Sequence, residues 1–328
     1  MLEYHSSMSQ VLAVDVGGTK TAVGLVDGAG RILEKRSAPT PRGDPSAVVA
    51  LVCSMVASLG GPSRPVSTLG LALPGVMDRS GEVLLRSPSS GWYDVPFTKL
   101  FSIALGLHAV ADNDVNACAL AETVFGDAAG LDSFFWMTVS TGVGGALFEG
   151  GRVLAGAHGM AGEIGHLVVK PDGAPCGCGN RGCLEAEAAG PAWSRKAAAL
   201  ALTANNDAGN ASRGKSQESL PDARAIAEAA RNGDEVCLHV VDDVSEALAR
   251  GIAAALTVFD PQAVFMGGGV AGAADLLLPR IRTWLPGLVL AYESRNTKIV
   301  ASSLGNDAAL LGAAALAFRY RERKETQA

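Results

Sequence analysis

The sequence carries no excess of positive charge: 27 Lys and Arg stand against 33 Asp and Glu, a formal net charge of −6 at pH 7. Nucleic acid and membrane phosphates call for the opposite balance, so neither is expected as a partner. No run of 18 or more uncharged apolar residues occurs, and the first ten residues, MLEYHSSMSQ, are polar. Neither a membrane-spanning helix nor a secretory leader is expected, and the expected location is the cytoplasm. Cysteine is scarce, six in 328 residues. Cys53, Cys118 and Cys237 lie singly in apolar or helical stretches and read as buried free thiols, not a disulfide framework.

Hydrophobic residues make up 48% and charged residues 18%, a globular balance, and 328 residues suffice for two lobes with separate cores. Glycine is abundant, 40 residues, and clustered in VGGT (16–19), TGVGG (141–145), GG (150–151), GMAG (159–162), GCGNRG (177–182) and GGGV (267–270). Such loops let a ligand approach the main chain, which suggests a phosphate or sugar site built largely from backbone.

The other three cysteines fall in GMAGEIGHLVVKPDGAPCGCGNRGCLE (159–185). With His166 they give the spacing H-x9-C-x-C-x4-C, made by Cys176, Cys178 and Cys183. Three thiolates and an imidazole close a tetrahedral zinc shell and leave no position for a reactive water. Such zinc is structural. Glu163 and Glu185 bracket the ligands, so a metal there would fix the backbone that aims two carboxylates. Buried free cysteines beside a core histidine are the alternative.

Residues 11–16 and 21–27 read as strands joined by GGTK, and DGAG (27–30) turns into a third strand. This meander does not fit the strand–loop–helix of dinucleotide and P-loop motifs. A helix over 46–59, a strand over 66–75, a helix over 95–106, a strand over 108–114 and a helix over 115–126 follow. The design restarts with a strand over 134–140, the TGVGG turn and two short strands. Residues 185–256 are mostly helical in pattern, with a polar interruption over 203–221. A strand over 263–270, a helix over 276–285, a strand over 298–305 and a terminal helix over 307–324 complete the chain. The expected class is α/β, with two related lobes: 10–125 completed by the helix 307–324, and 126–306 carrying the segment 163–185.

In the turn from Asp15 to Lys20, backbone N–H groups can bind phosphate oxygens, Thr19 adds a hydroxyl, Lys20 a cation, and Asp15 can hold Mg²⁺. An ordinary hairpin turn explains the same residues equally well. Two such turns in matching lobes, with GGG at 267–269, favour phosphate. Asp114 stands where a strand gives way to a helix. It suits either a general base on a hydroxyl or a helix cap, and spacing alone favours the cap. Asn113, Asp114, Glu163 and Glu185 together suit a polyhydroxylated ligand.

In order along the chain, DVGGTKTAVGLVD, NDVNACALAE, STGVGG, AGEIGH, CGCGNRGCLE and MGGGV resemble the ROK family of sugar kinases and repressors, over roughly residues 10–318. The resemblance implies an actin/hexokinase-type ATPase fold, with a mixed sheet flanked by helices in each lobe and a cleft between. It implies that Asp114 is the catalytic base and that Gly75, Asn113, Glu163, His166 and Glu185 contact sugar. Asp15, Gly17, Gly18, Thr19, Lys20, Thr141 and Gly142 would surround the ATP phosphates and Mg²⁺, and Gly268 and Gly269 would lie along adenosine. His166, Cys176, Cys178 and Cys183 would hold structural Zn²⁺, with His166 also near the sugar.

The implied activity is ATP-dependent phosphorylation of a hexose 6-hydroxyl, glucose first and N-acetylmannosamine or another N-acetylhexosamine second. A homo-oligomer, dimer or tetramer, is implied. Ser89 and Ser90 stand where family glucokinases usually carry an asparagine, and STGVGGA, with Ser140 and Ala146, replaces GTGxGGG. A sugar-sensing repressor of the same family would need a helix-turn-helix domain, and the ten residues before VLAVDV are too few to form one.

Overall fold

The computed structural model describes residues 9–60, 66–207 and 221–327. In chain order the elements begin with β1 (Gln10–Val16), β2 (Lys20–Asp27), β3 (Ile32–Pro39), α1 (Pro45–Ala57), β4 (Thr68–Leu73), β5 (Val76–Met77), β6 (Leu84–Ser87) and β7 (Trp92–Val95). Next come α2 (Phe97–Leu105), β8 (His108–Asn113), α3 (Asp114–Val124), β9 (Ser133–Val139), β10 (Val143–Glu149) and β11 (Arg152–Val153). Then follow α4 (Leu184–Ala188), α5 (Gly190–Asp207), α6 (Ala223–Arg231), α7 (Glu235–Phe259), β12 (Ala263–Gly267) and α8 (Ala274–Leu288). The last are α9 (Tyr292–Arg295), β13 (Lys298–Ala301) and α10 (Ala308–Gln327).

Two five-stranded sheets repeat one order, β3-β2-β1-β4-β8 and β11-β10-β9-β12-β13. In the first, β1–β2 and β2–β3 pair antiparallel, and β1–β4 and β4–β8 pair parallel. The second likewise places β12 parallel to β9 and to β13. The meander and its restart are therefore both present, and the fold is mixed α/β. A third sheet, β5-β6-β7, lies in a stretch with no strand pattern of its own. Its strands of two to four residues are too short for a period-2 signal, and Asp78 builds the turn between them by accepting from the Glu82 and Val83 N–H groups (2.7 and 2.9 Å).

Two compact units divide the chain: Met1–Asp132 with Ala146–Ala161 and Ser303–Ala328, and Ser133–Gly145 with Gly162–Ser302. The division falls at 132/133 rather than 125/126, and 146–161 goes with the first unit. Arg319 on α10 explains part of this, donating to the Gly151 carbonyl (2.7 Å), and β11 packs on α3.

In the first unit β1 is apolar on both faces and sorts its side chains by parity. Leu12, Val14 and Val16 join Val48, Val52 and Met55 of α1 and Phe97 and Phe101 of α2. Val11 and Ala13 join Ala117 and Ala121 of α3 and Leu310, Ala313, Ala314 and Phe318 of α10. A Cβ on Gly70 of β4 would lie 1.7 Å from the Ala313 carbonyl oxygen, and one on Gly312 would lie 2.4 Å from that of Ala117. Helix α10 thus rests on β4 and α3 with no side chain between. In the second unit β12 is wholly buried, Phe134 meets Phe265 edge-on at 5.4 Å, and α7 packs against α8.

Of the isolated cysteines, Cys118 is buried but Cys53 and Cys237 are only half-buried, because each lies off its helix's buried stripe. Most of the polar interruption, 208–220, lies outside the described residues, and residues before it continue α5. Strand 263–270 ends at Gly267, since Gly268 takes a left-handed φ of 86° and Gly269–Ala273 forms a 3-10 turn. No described helix is long and apolar enough to cross a membrane.

Candidate active site

Parity carries Asp15 onto the same face of β1 as Val11 and Ala13, toward the starts of α3 and α10. Burial, reinforced by the negative charge of Asp114, pushes the Asp15 carboxyl up to about 7, against the opposing pull of Lys20 and Lys35. Beyond it the chain reverses: Gly17 N–H donates to the Lys20 carbonyl (3.0 Å), and Thr40 Oγ1 donates to the Gly17 carbonyl (2.7 Å). Thr19 and Lys20 stay exposed, and the Ser89 side chain lies over Gly18.

The carboxylate at the β8–α3 junction is not the helix cap. Asn113 caps α3, its Oδ1 accepting from Val115 N–H (2.9 Å) and Asn116 N–H (3.2 Å). Its Nδ2 donates to the Gly75 carbonyl (2.9 Å) and to Asp114 Oδ1 (3.0 Å), which also accepts from Val115 N–H (3.0 Å). Two acceptor and two donor places are then filled within the chain, and through them Asn113 holds Asp114. Gly75 itself needs φ +114°, and a Cβ there would lie 2.2 Å from the Arg86 carbonyl oxygen. It serves by aiming its carbonyl at Asn113.

In the second unit three segments converge on Val143. Its N–H donates to Glu185 Oε2 (3.1 Å), and that oxygen would stand 2.5 Å from a Cβ on Gly142. A Cβ on Gly165 would lie 1.9 Å from the Val143 carbonyl, so the 3-10 turn Ile164–His166 sits directly on it. Glu163, His166 and Glu185 are thereby tied to the Thr141–Gly142 turn. Gly268 lies against the Val139 carbonyl, and Gly269 lies 3.8 Å, by its would-be Cβ, from Ser140 Oγ. The unit's two glycine turns are neighbours.

One ligand atom from each of His166, Cys176, Cys178 and Cys183 lies within 4.8 Å of the others. Cys178 Sγ is 3.7 Å from Cys183 Sγ, and Cys176 Sγ is 3.7 Å from His166 Nδ1. Zn–S bonds of about 2.3 Å give a tetrahedron with edges of about 3.5–3.8 Å, so the four donors fit one zinc ion. His166 turns Nε2 toward Glu163 Oε2, 4.0 Å away. A hydrogen bond from the Asn180 backbone draws the Cys178 thiol down to about 7, and burial pushes that of Cys183 up to about 12.

Residues 11–319 match the ROK family. The chain is a member of the ROK family. Glucokinase of Thermotoga maritima is 33% identical over 310 residues, covering 94% of this chain and 96% of its own. N-acetylmannosamine kinase of Shigella boydii is 35% identical over 311 residues, covering 93% and 97%. A ROK family glucokinase from Streptomyces griseus, solved with glucose and AMPPNP, superposes with a TM-score of 0.83 at 34% identity, covering 95% and 100%.

Within this ROK chain, sequence patterns missed two supports. Val143 acts through its backbone, which no side-chain motif can reveal. Glu187 is buried, accepts from Ala174 N–H (2.7 Å) and from Lys196 Nζ (3.1 Å), and so fastens the cysteine loop to α5. Its spacing from Glu185 was the available signal.

Proposed function

We propose that this ROK chain is an ATP- and Mg²⁺-dependent kinase that phosphorylates the 6-hydroxyl of glucose. The observation that carries this reading is Asp114, held by Asn113 and electrostatically coupled to Asp15, which leads into the Gly17–Gly18 turn. Asp114 takes the proton of the 6-hydroxyl as its oxygen forms a bond to the γ-phosphorus and the bond to the β–γ bridging oxygen breaks, releasing ADP. The Gly17 N–H is taken by the Lys20 carbonyl and closes the turn, so the Gly18 N–H, with Thr19, Lys20 and Thr141, faces the phosphates, and Gly142, Gly268 and Gly269 line the nucleotide. Asp15 suits Mg²⁺, whose charge offsets that of the phosphates.

Glu163, His166 and Glu185 take the remaining sugar hydroxyls, and zinc on His166, Cys176, Cys178 and Cys183 holds their backbone. The protein then works in the cytoplasm. A second reading, N-acetylmannosamine as acceptor, is supported by the serine form of the second glycine turn, Ser140 in STGVGGA, and by the Shigella boydii relative. ADP release across a panel of hexoses and N-acetylhexosamines decides the sugar. Asp114→Ala should lower turnover by about 10²–10⁴-fold or more while calorimetric glucose binding persists. Near-wild-type turnover would refute the assignment.

A further inference from the structure

The first unit contains a cavity of about 830 Å³ at the free edge of its sheet, beside β8. None of the residues assigned above to phosphoryl transfer lines it. Its walls carry Lys99 of α2, His108 of β8, Arg152 of β11, and Arg319, Tyr320 and Arg323 of α10. Four fixed positive charges therefore face one space, against two acids, Glu82 and Asp112. Among the described residues none of the four cations is held in an ion pair, and Arg319 meets only the Gly151 carbonyl. Burial, with the like charge of Arg323, lowers the Arg319 pKa against the pull of Glu322. Burial acts on Asp112 in the opposite sense, raising its pKa and disfavouring its charge. The four cations thus outnumber the acids that line the space, and its size is that of a small-molecule site.

The chemistry of the walls narrows the ligand. The Tyr320 ring is stacked on His108 (4.1 Å between centroids) and approached by Lys324 Nζ (5.8 Å), so it is already engaged and offers poor stacking for a nucleobase. Guanidinium and ammonium groups recognise phosphate oxygens. We propose that this cavity is a second ligand site that takes a small non-aromatic phosphate ester, of the sugar-phosphate class. It abuts the catalytic elements through Asp112, whose Oδ1 accepts from Asn113 N–H (2.7 Å) and Asn116 Nδ2 (3.0 Å). A bound ester bears on the strand end that presents Asn113 and Asp114. Resting on the kinase reading, it is a site at which the product class of the reaction regulates turnover.

The test is calorimetric titration of the full chain with glucose 6-phosphate, with glucose and inorganic phosphate as controls. Arg152→Glu/Arg323→Glu changes two exposed cations, neither placed in the transfer machinery. Each lost charge-assisted contact is worth about tenfold in affinity, so the double variant should bind the ester about a hundredfold more weakly at this site. Glucose binding and turnover without ester should be unchanged. Hydrogen exchange should show ester-dependent protection over 149–153 and 316–323 in the wild type and none in the variant. Equal ester affinity in both proteins, or no protection of those segments, overturns the site. Inorganic phosphate binding as tightly as the ester overturns the ligand class. If the double variant unfolds, Lys99→Ala and Arg323→Ala singly serve the same comparison. Failure of the kinase reading would appear separately, as absent turnover in a wild type that still binds the ester through these cations.

Discussion

Asp15 is the sharpest place to test whether this fold sacrifices stability to hold a charge. Its carboxyl is held at about 7 in the folded chain, against 3.8 as its ordinary value. Between these values the unfolded chain has lost the proton and the folded chain keeps it, so stability falls as pH rises from about 4 to about 7. Integrated at ~1.36 kcal/mol per unit, the penalty is about 1.7 kcal/mol at pH 5 and about 4 kcal/mol at pH 8. Asp15→Asn removes the titration but keeps the shape. Denaturant unfolding of ligand-free wild type and variant at both pH values should therefore show the variant gaining about 2.5 kcal/mol relative to wild type between pH 5 and pH 8. The same change should abolish turnover, which separates the site's function from its stability. A wild type–variant difference that stays constant from pH 5 to pH 8 would refute the picture of a strained, desolvated carboxyl.

Other consequences follow from the same geometry. Because Mg²⁺ requires the ionised carboxylate, wild-type affinity for Mg²⁺-nucleotide should fall as pH drops from 7 toward 5, by up to about tenfold per unit, and be flat in Asp15→Asn; a flat wild-type titration would count against Asp15 as the Mg²⁺ residue. Metal analysis of reduced protein should give one zinc per chain, and Cys178→Ser or a chelator should weaken glucose binding at least about tenfold; unaltered sugar affinity in zinc-free protein would sink the supporting role. Gly165→Ala should displace the Glu163–His166 turn, because the new methyl meets the Val143 carbonyl, and raise the sugar KM at least about tenfold. Gly287→Ala, in an open position of α8, should instead stabilise by about 0.5–1 kcal/mol in thermal unfolding and leave kinetics alone.

Much of this molecule is legible locally. Apolar runs such as VLAVDV and FFWMTV declare buried strands, glycine pairs declare their turns, and the repeated strand–turn–strand order anticipates two sheets of one design. The H-x9-C-x-C-x4-C spacing likewise predicts a donor cluster, because a loop of that length with glycines between thiols can fold back on itself. The cap at α3 is not legible locally: both Asn113 and Asp114 are good caps, and only the hydrogen bonds decide that Asn113 takes the position.

What the sequence determined by itself was the period of each element, the chemistry of each turn and the family to which the chain belongs. Tertiary structure alone decided three things. It set Glu185 against the Thr141–Gly142 turn through Val143, and it pushed the Asp15 carboxyl up by burying it and bringing Asp114 near. It also gathered Lys99, Arg152, Arg319 and Arg323 around one cavity. Each depends on residues far apart in the chain whose mutual distance exists only once the elements have packed, β10 with α4 in the first case and β1, β8, α3 and α10 in the others.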